Sequence, residues 1–171
     1  DLMMGLVGSE MCIRDRDHQI SKQIKTTKTP TKGDVTNLKT IVVLDRSGSM
    51  GNEVKRIVNE ILPPMFKNLG YGVDDIVTLI TFDSVAEVIE IPISKLCSYK
   101  INCRGMTYMA YGIKELSKIL NKKENKYVRI LAISDGELND QEQTLTASSN
   151  LASLIKEDLI INAQAIRFFT S

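Results

Sequence analysis

Three short apolar runs constrain this chain more than any other feature. Residues 40–44 (TIVVL), 76–82 (IVTLITF) and 127–133 (YVRILAI) show little of the in–out alternation of a strand with one wet face. Runs of this length and composition suit strands buried on both sides, as in the middle of a parallel sheet. A fourth central strand is read at 159–168. Between them the pattern changes period. Val54, Ile57, Val58, Ile61, Leu62, Met65, Phe66 and Leu69 recur at i, i+3, i+4 and i+7, one face of an amphipathic helix. Pro63 and Pro64 fall inside that stripe and each lacks a backbone donor, which predicts a kink or an early stop near Ile61. Gly70 and Gly72 supply a stop.

The rest alternates in the same way. Asp83-Ser84 can turn the chain into 85–91, a hairpin partner expected antiparallel at the sheet edge. A second helix carries Met109, Ile113, Leu116 and Leu120 on one face and stops near Asn121. Asp140 can cap a third helix reaching about Glu157, with Leu151, Leu154 and Ile155 inward. Strands alternating with amphipathic helices predict an α/β, doubly wound, mostly parallel sheet with one antiparallel edge strand and helices on both faces. A final strand needs a helix to cover it, so the polypeptide is expected to continue past Ser171.

Length and charge narrow the class. At 171 residues, 43% hydrophobic and 25% charged, the chain fits one globular domain. A net charge of +1 gives no footprint for nucleic acid or an anionic membrane. No apolar run approaches the roughly 20 residues needed to span a bilayer, so no membrane insertion is expected.

The N-terminus stands apart. Residues 6–16 read LVGSEMCIRDR, which resembles a translated sequencing adapter, and residues 1–16 are set aside as an adapter-derived artefact. Without that segment the charge becomes +2, and Cys97 and Cys103 are the remaining cysteines. Residues 17–38 are polar and rich in Lys and Thr, a flexible lead-in; the domain proper is expected over 39–171. Two cysteines make no disulfide framework and are read as free thiols, although one bridge between them is open. The single histidine, His18, borders the artefact, which disfavours a zinc site or a His-based catalyst. Localisation stays open, with sparse cysteines and the lysine-rich lead-in pointing to the cytoplasm.

Three places just beyond strand ends carry candidate chemistry. Asp45-Arg46-Ser47-Gly48-Ser49 is a D-x-S-x-S run entering a helix, Thr107 stands in a G-x-T context before another helix, and Asp135-Gly136 follows the 127–133 run. In an open parallel sheet ligands bind outside the carboxyl ends of the strands, so these distant residues can converge. Two carboxylates and three hydroxyls are hard donors of the kind that Mg2+, Mn2+ or Ca2+ prefers. Taken singly, Ser47 and Ser49 could merely cap a helix, and Asp45 could merely form a turn.

Together, in this order and on these elements, the three pieces resemble the metal-ion-dependent adhesion site of von Willebrand factor A-type domains. The resemblance covers residues 39–169. It implies a metal held by Asp45, Ser47, Ser49, Thr107 and Asp135, the aspartates binding directly or through water. It also implies an open coordination position for an Asp or Glu of a protein partner. Met106 departs from the glycine of many members, and the family's last helix and strand are missing. Arg46, Arg104, Tyr108, Met109, Glu137 and Asn139 border the site and could shape partner choice, though a solvated loop position is the plainer reading of each. Asp83 is read as a turn residue that could also lie near the site, and Met50 as core or rim packing.

The function expected from this is a divalent-metal-dependent protein-binding module, not an enzyme. One alternative is a scaffold whose ion only ties loops together. Another is a metal-dependent hydrolase, which lacks a histidine or motif lysine to activate a nucleophile. The phosphate-loop pattern is absent too.

Overall fold

The computed structural model describes residues 38–155 and 158–167. The adapter-like segment, His18 and all of the lead-in except Leu38 lie outside the described residues, as do Glu157 and Phe168. Five strands form one sheet: β1 (Leu38–Asp45), β2 (Ile76–Phe82), β3 (Ala86–Pro92), β4 (Tyr127–Ser134) and β5 (Ile160–Arg167). Their order is β3-β2-β1-β4-β5. β1 runs parallel to β2 and β4, β4 runs parallel to β5, and β3 pairs antiparallel with β2. The fold is therefore a mostly parallel α/β sheet with an antiparallel edge, as the alternating pattern predicts. One expectation is corrected: β5 stands at the end of the order among the described residues, not at its centre. Its exposed Gln164 and Arg167 suit that less covered position.

The doubly apolar runs are explained by two cores, one on each face of the sheet. From β1, Ile41 and Val43 enter one core, and Val42 and Leu44 enter the other. The first core is covered by α3 (Met109–Leu120), through Ile113 and Leu116, and by α4 (Gln141–Leu154), through Leu151. The second is covered by α1 (residues 53–68), through Val54, Ile57, Val58, Leu62 and Phe66. Each such side chain taken fully out of water stabilises the fold by about 1.5–3 kcal/mol before ordering entropy. Leu154 departs from its expected inward position: it is exposed, while Leu151 and Ile155 pack on the core.

Helix α1 answers the two prolines in an unexpected way. It opens as Glu53–Arg56, widens into a π turn over Ile57–Ile61 and resumes as Leu62–Asn68. It neither stops nor breaks at Ile61. Leu62 N–H reaches back five residues to Ile57 C=O, so Pro63 falls in the first turn of the resumed helix, where a missing donor leaves nothing unpaired. Asn59 in the widened turn donates to the carbonyls of Leu96 (2.6 Å) and Tyr99 (3.1 Å), fastening it to the short α2 (Ile93–Leu96) and the loop beyond. Among the described residues no helix is long and apolar enough to cross a membrane.

Candidate metal centre

Parallel β2, β1 and β4 all end at the same rim, and each delivers an aspartate there: Asp83, Asp45 and Asp135. All three are buried. Each closes an Asx turn, its Oδ1 accepting from the backbone N–H two residues on. The acceptors receive Val85 N–H on Asp83 (2.8 Å), Ser47 N–H on Asp45 (2.8 Å) and Glu137 N–H on Asp135 (3.0 Å).

Their second oxygens differ. Asp83 Oδ2 accepts from Arg46 Nε (3.0 Å) and Arg104 Nε (3.3 Å). Asp45 Oδ2 accepts from the Ser134 hydroxyl (2.7 Å). Asp135 Oδ2 is buried and has no hydrogen-bond partner. Burial pushes the Asp45 carboxyl above the usual carboxylate range; hydrogen bonds from Ser47 and Ser134 pull it back, and the charge of Asp135 pushes it up again.

The loops around these aspartates are tied to one another. The chain after β1 makes a one-turn 3-10 helix, Gly48–Met50, and Met50 is buried in the core. Ser47 stands at its N-cap without a side-chain capping bond; its hydroxyl pairs with that of Ser49 at 3.0 Å instead. The capping alternative for Ser47 is thus not realised, whereas the turn-forming role of Asp45 is met by one of its oxygens. Gly48 N–H donates to Gly105 C=O (3.2 Å) and Arg104 N–H to Arg46 C=O (3.1 Å), joining the first loop to the one before α3. Gly105 is required there: its φ is +68°, and a Cβ would come within 2.6 Å of Ser84 Oγ.

Thr107 is buried and held by its backbone. Its N–H donates to Asn139 Oδ1 (2.8 Å), and its carbonyl accepts from Asn139 N–H (2.9 Å). Asp140 adds a second clamp, accepting from Met109 N–H (3.1 Å) and Ala110 N–H (2.9 Å). Asp140 was expected to cap its own helix by its side chain. It caps α3 instead, the helix in front, and takes the Thr144 hydroxyl from its own (3.0 Å). Gly136 keeps φ at +82°, and a Cβ there would meet Arg167 Nε at 2.9 Å, where that nitrogen donates to Asp135 C=O.

Of the five sequence-derived candidates, Ser47 and Ser49 touch directly, and Asp45 and Asp135 are close enough to repel. Thr107 belongs to the same rim through its backbone, but among the described residues no hydrogen bond joins its side chain to the other four. Sequence reasoning missed Ser134 as part of the rim, the clamp that Asp140 makes, and the clamp made by Asn139, a residue it had placed only at the border of the site. A hydroxyl residue directly before Asp135 was the available signal for the first; none pointed to the others. Arg46 is also corrected: it is buried and ion-paired to Asp83 and to Glu87 (2.6 Å), not a solvated loop residue. Cys97 and Cys103 are free thiols, Cys103 donating to Gly51 C=O.

Could this rim hold a cation? Two neighbouring buried carboxylates, one with a bare oxygen, lie beside paired hydroxyls, and together they make a hard-oxygen donor set. Among the described residues no three His, Cys, Asp or Glu side chains converge, so hydroxyls or water would have to complete any coordination. The donor set fits magnesium, manganese or calcium and does not fit zinc.

The family model for the von Willebrand factor type A domain matches residues 40–137, from β1 to the turn after β4. The chain belongs to the von Willebrand factor type A family. Its fold is similar to that of solved structures. The manganese-loaded TRAP protein of Plasmodium vivax superposes with a TM-score of 0.54 at 17% identity, over 75% of this chain and 57% of that one. A von Willebrand factor type A protein from Catenulispora acidiphila gives 0.53 at 12% identity, over 77% of this chain and 33% of that one. This type A chain thus spans roughly half and a third of the lengths of those two structures. No curated protein matches it in sequence.

Proposed function

We propose that the chain is a divalent-metal-dependent protein-binding module in which Asp45, Ser47, Ser49, Thr107 and Asp135 hold the ion. A partner's Asp or Glu would complete the coordination. The observation that carries this reading is Asp135 Oδ2, a buried carboxylate oxygen with no donor, beside a second carboxylate whose charge it opposes. An unpaired buried anion is costly in a fold, and a cation is the group that removes the cost. The TRAP structure was solved with manganese, which supports a divalent ion in this fold without assigning one here.

The residues divide the work by what their oxygens already touch. Asp45 has both oxygens engaged, by Ser47 N–H and the Ser134 hydroxyl, so it serves as fixed charge and as anchor of the serine loop. Asp135 keeps one oxygen bare for direct ligation. The Ser47–Ser49 hydroxyl pair can turn its lone pairs toward the ion. When bound, Mg2+ or Mn2+ supplies a Lewis-acidic position that an incoming carboxylate can fill. No catalytic step belongs to this reading, because the two serines bond each other and the sole histidine of the chain is His18.

Calorimetric titration of the 171-residue chain with MgCl2 and MnCl2 tests the proposal. Saturable binding at one site is expected, and Asp135→Ala should lose it. Equal binding by wild type and variant, or none by wild type, overturns the reading.

A further inference from the structure

We propose that Met106, Tyr108 and Tyr111, beside Lys114, form a docking surface for an acidic segment that also carries a large apolar side chain. The proposal rests on the metal-site reading above and names what the partner presents beside its carboxylate. Met106 and Tyr108 flank Thr107 in sequence, so they lie within a few ångströms of a proposed ligand. Met106 is 50% exposed and Tyr111 is 44% exposed. Tyr108 hydroxyl donates to Met106 Sδ (3.7 Å), and the Tyr108 and Tyr111 rings meet edge-on with centroids 6.0 Å apart. Met106 N–H donates to Ser84 Oγ (3.3 Å), which fixes this loop against the turn after β2.

This grouping is not scatter. Other exposed large apolar side chains lie on other elements: Val73 just before β2 and Ile76 at its start, Val88 on β3, Tyr127 at the start of β4, and Leu145 and Leu154 on α4. The chain has only five tyrosines and four phenylalanines, yet two tyrosines meet edge-on here beside a methionine. Tyr and Met are enriched at interface cores because they cover much area with few frozen torsions. Charge selects the partner. Lys114 Nζ lies 5.7 Å above the Tyr111 ring, while Arg104, on the same loop as Met106, is already paired with Asp83 and Glu87. A cation beside an aromatic shelf favours an acidic segment over a basic or neutral one.

The test is an array of capped hexapeptides pairing Asp or Glu with Leu, Phe or Ala at each spacing, with Asn and Gln controls. It is probed with the 171-residue chain in Mg2+ and in chelator. Wild type should prefer an acidic residue with Leu or Phe over the same residue with Ala by about tenfold. Met106→Ser/Tyr111→Ser should reduce that preference to within twofold, keeping Mg2+-dependent binding of the Ala-flanked peptides and an unchanged melting curve. Lys114→Glu should weaken all acidic peptides by roughly threefold. Three results overturn the surface: Mg2+-dependent binding indifferent to the apolar residue, no binding by any peptide, or self-association abolished by Tyr111→Ser, which would give the patch to a second copy. Apolar preference that persists in chelator and is lost in the double variant keeps the surface and removes the metal reading.

Discussion

Asp83 and Asp135 end the two strands that flank β1, and locally they are alike. Both are buried, and both bind the N–H two residues on through Oδ1. The difference lies in Oδ2, which meets two guanidinium groups at Asp83 and no hydrogen-bond donor at Asp135. One carboxylate is a closed structural joint, tying the loop after β1 to the loop before α3. The other is left open. A buried anion is tolerated only when something balances it. Where the chain has not supplied the cation itself, a cation from solution is the physical expectation. The aspartate between them, Asp45, has a hydroxyl on its second oxygen, enough to hold it in place without cancelling its charge.

The comparison can be broken most sharply at the closed joint. Asp83→Ala leaves Arg46 buried with only the exposed Glu87 as counter-ion. The expected loss is about 3 kcal/mol, the low end for a broken buried pair because Glu87 remains. Urea unfolding with and without MgCl2 checks it: the loss should be the same in both. A loss that Mg2+ restores would make Asp83 a ligand and erase the contrast. Asp135→Ala should behave in the opposite way. Without metal, removing an unbalanced anion should leave the fold as stable as before or more so. With Mg2+ at a hundred times its Kd, wild type should gain about 2.7 kcal/mol and the variant nothing. Thermal melts across a Mg2+ series give the answer, and an equal shift in both proteins would show that the open aspartate does not bind the ion.

What could be read beforehand divides along the same line. The strands β1, β2 and β4 were legible because burial on both faces writes itself into consecutive residues such as Ile41 to Leu44. The positions of Asp45 and Asp135 at one rim followed from strand ends in a parallel sheet, whereas Thr107 stands well past the end of β3, before α3, and reaches the rim through Asn139. The partners of those residues did not follow. Arg46 finds Asp83 37 positions away, and Ser134 finds Asp45 89 positions away; no periodicity encodes either pairing. Asp140 shows why a local rule misled. Its position before α4 has the form of a cap, but the unpaired N–H groups of α3 lie within reach and take the carboxylate. The prolines of α1 were legible in part: a kink or a stop near Ile61 was expected, and the helix does lose regular α geometry there, as a π turn, but does not stop.

Asp140 carries the next prediction. Asp140→Ala removes acceptors from two N–H groups at the start of α3 and from the Thr144 hydroxyl. About 2 kcal/mol of stability should go, the upper end for a helix cap. Hydrogen exchange should quicken first at the Met109 and Ala110 amides. If the clamp also sets Thr107 against the Asp135 loop, metal affinity falls as well. Unchanged exchange at those two amides would show that Asp140 does not cap α3.

The smallest expected effect tests the middle aspartate. Ser134→Ala removes the hydroxyl that donates to Asp45 Oδ2 and accepts Gly136 N–H (3.1 Å). At neutral pH the cost should be about 1 kcal/mol, the usual net value of one hydrogen bond. Its pH dependence has a definite sign. Burial already raises the Asp45 pKa in the fold, so ionised Asp45 destabilises the native state at neutral pH; that penalty fades as pH falls through the raised value. Losing the Ser134 bond raises the folded pKa further and enlarges the penalty only where Asp45 is charged. The gap between wild type and Ser134→Ala, measured by urea unfolding in chelator, should therefore be widest near neutrality and narrow toward acid. A gap that is constant with pH would mean that Ser134 stabilises through Gly136 alone, and Asp45 would then have to be regrouped with Asp135 as a second open carboxylate.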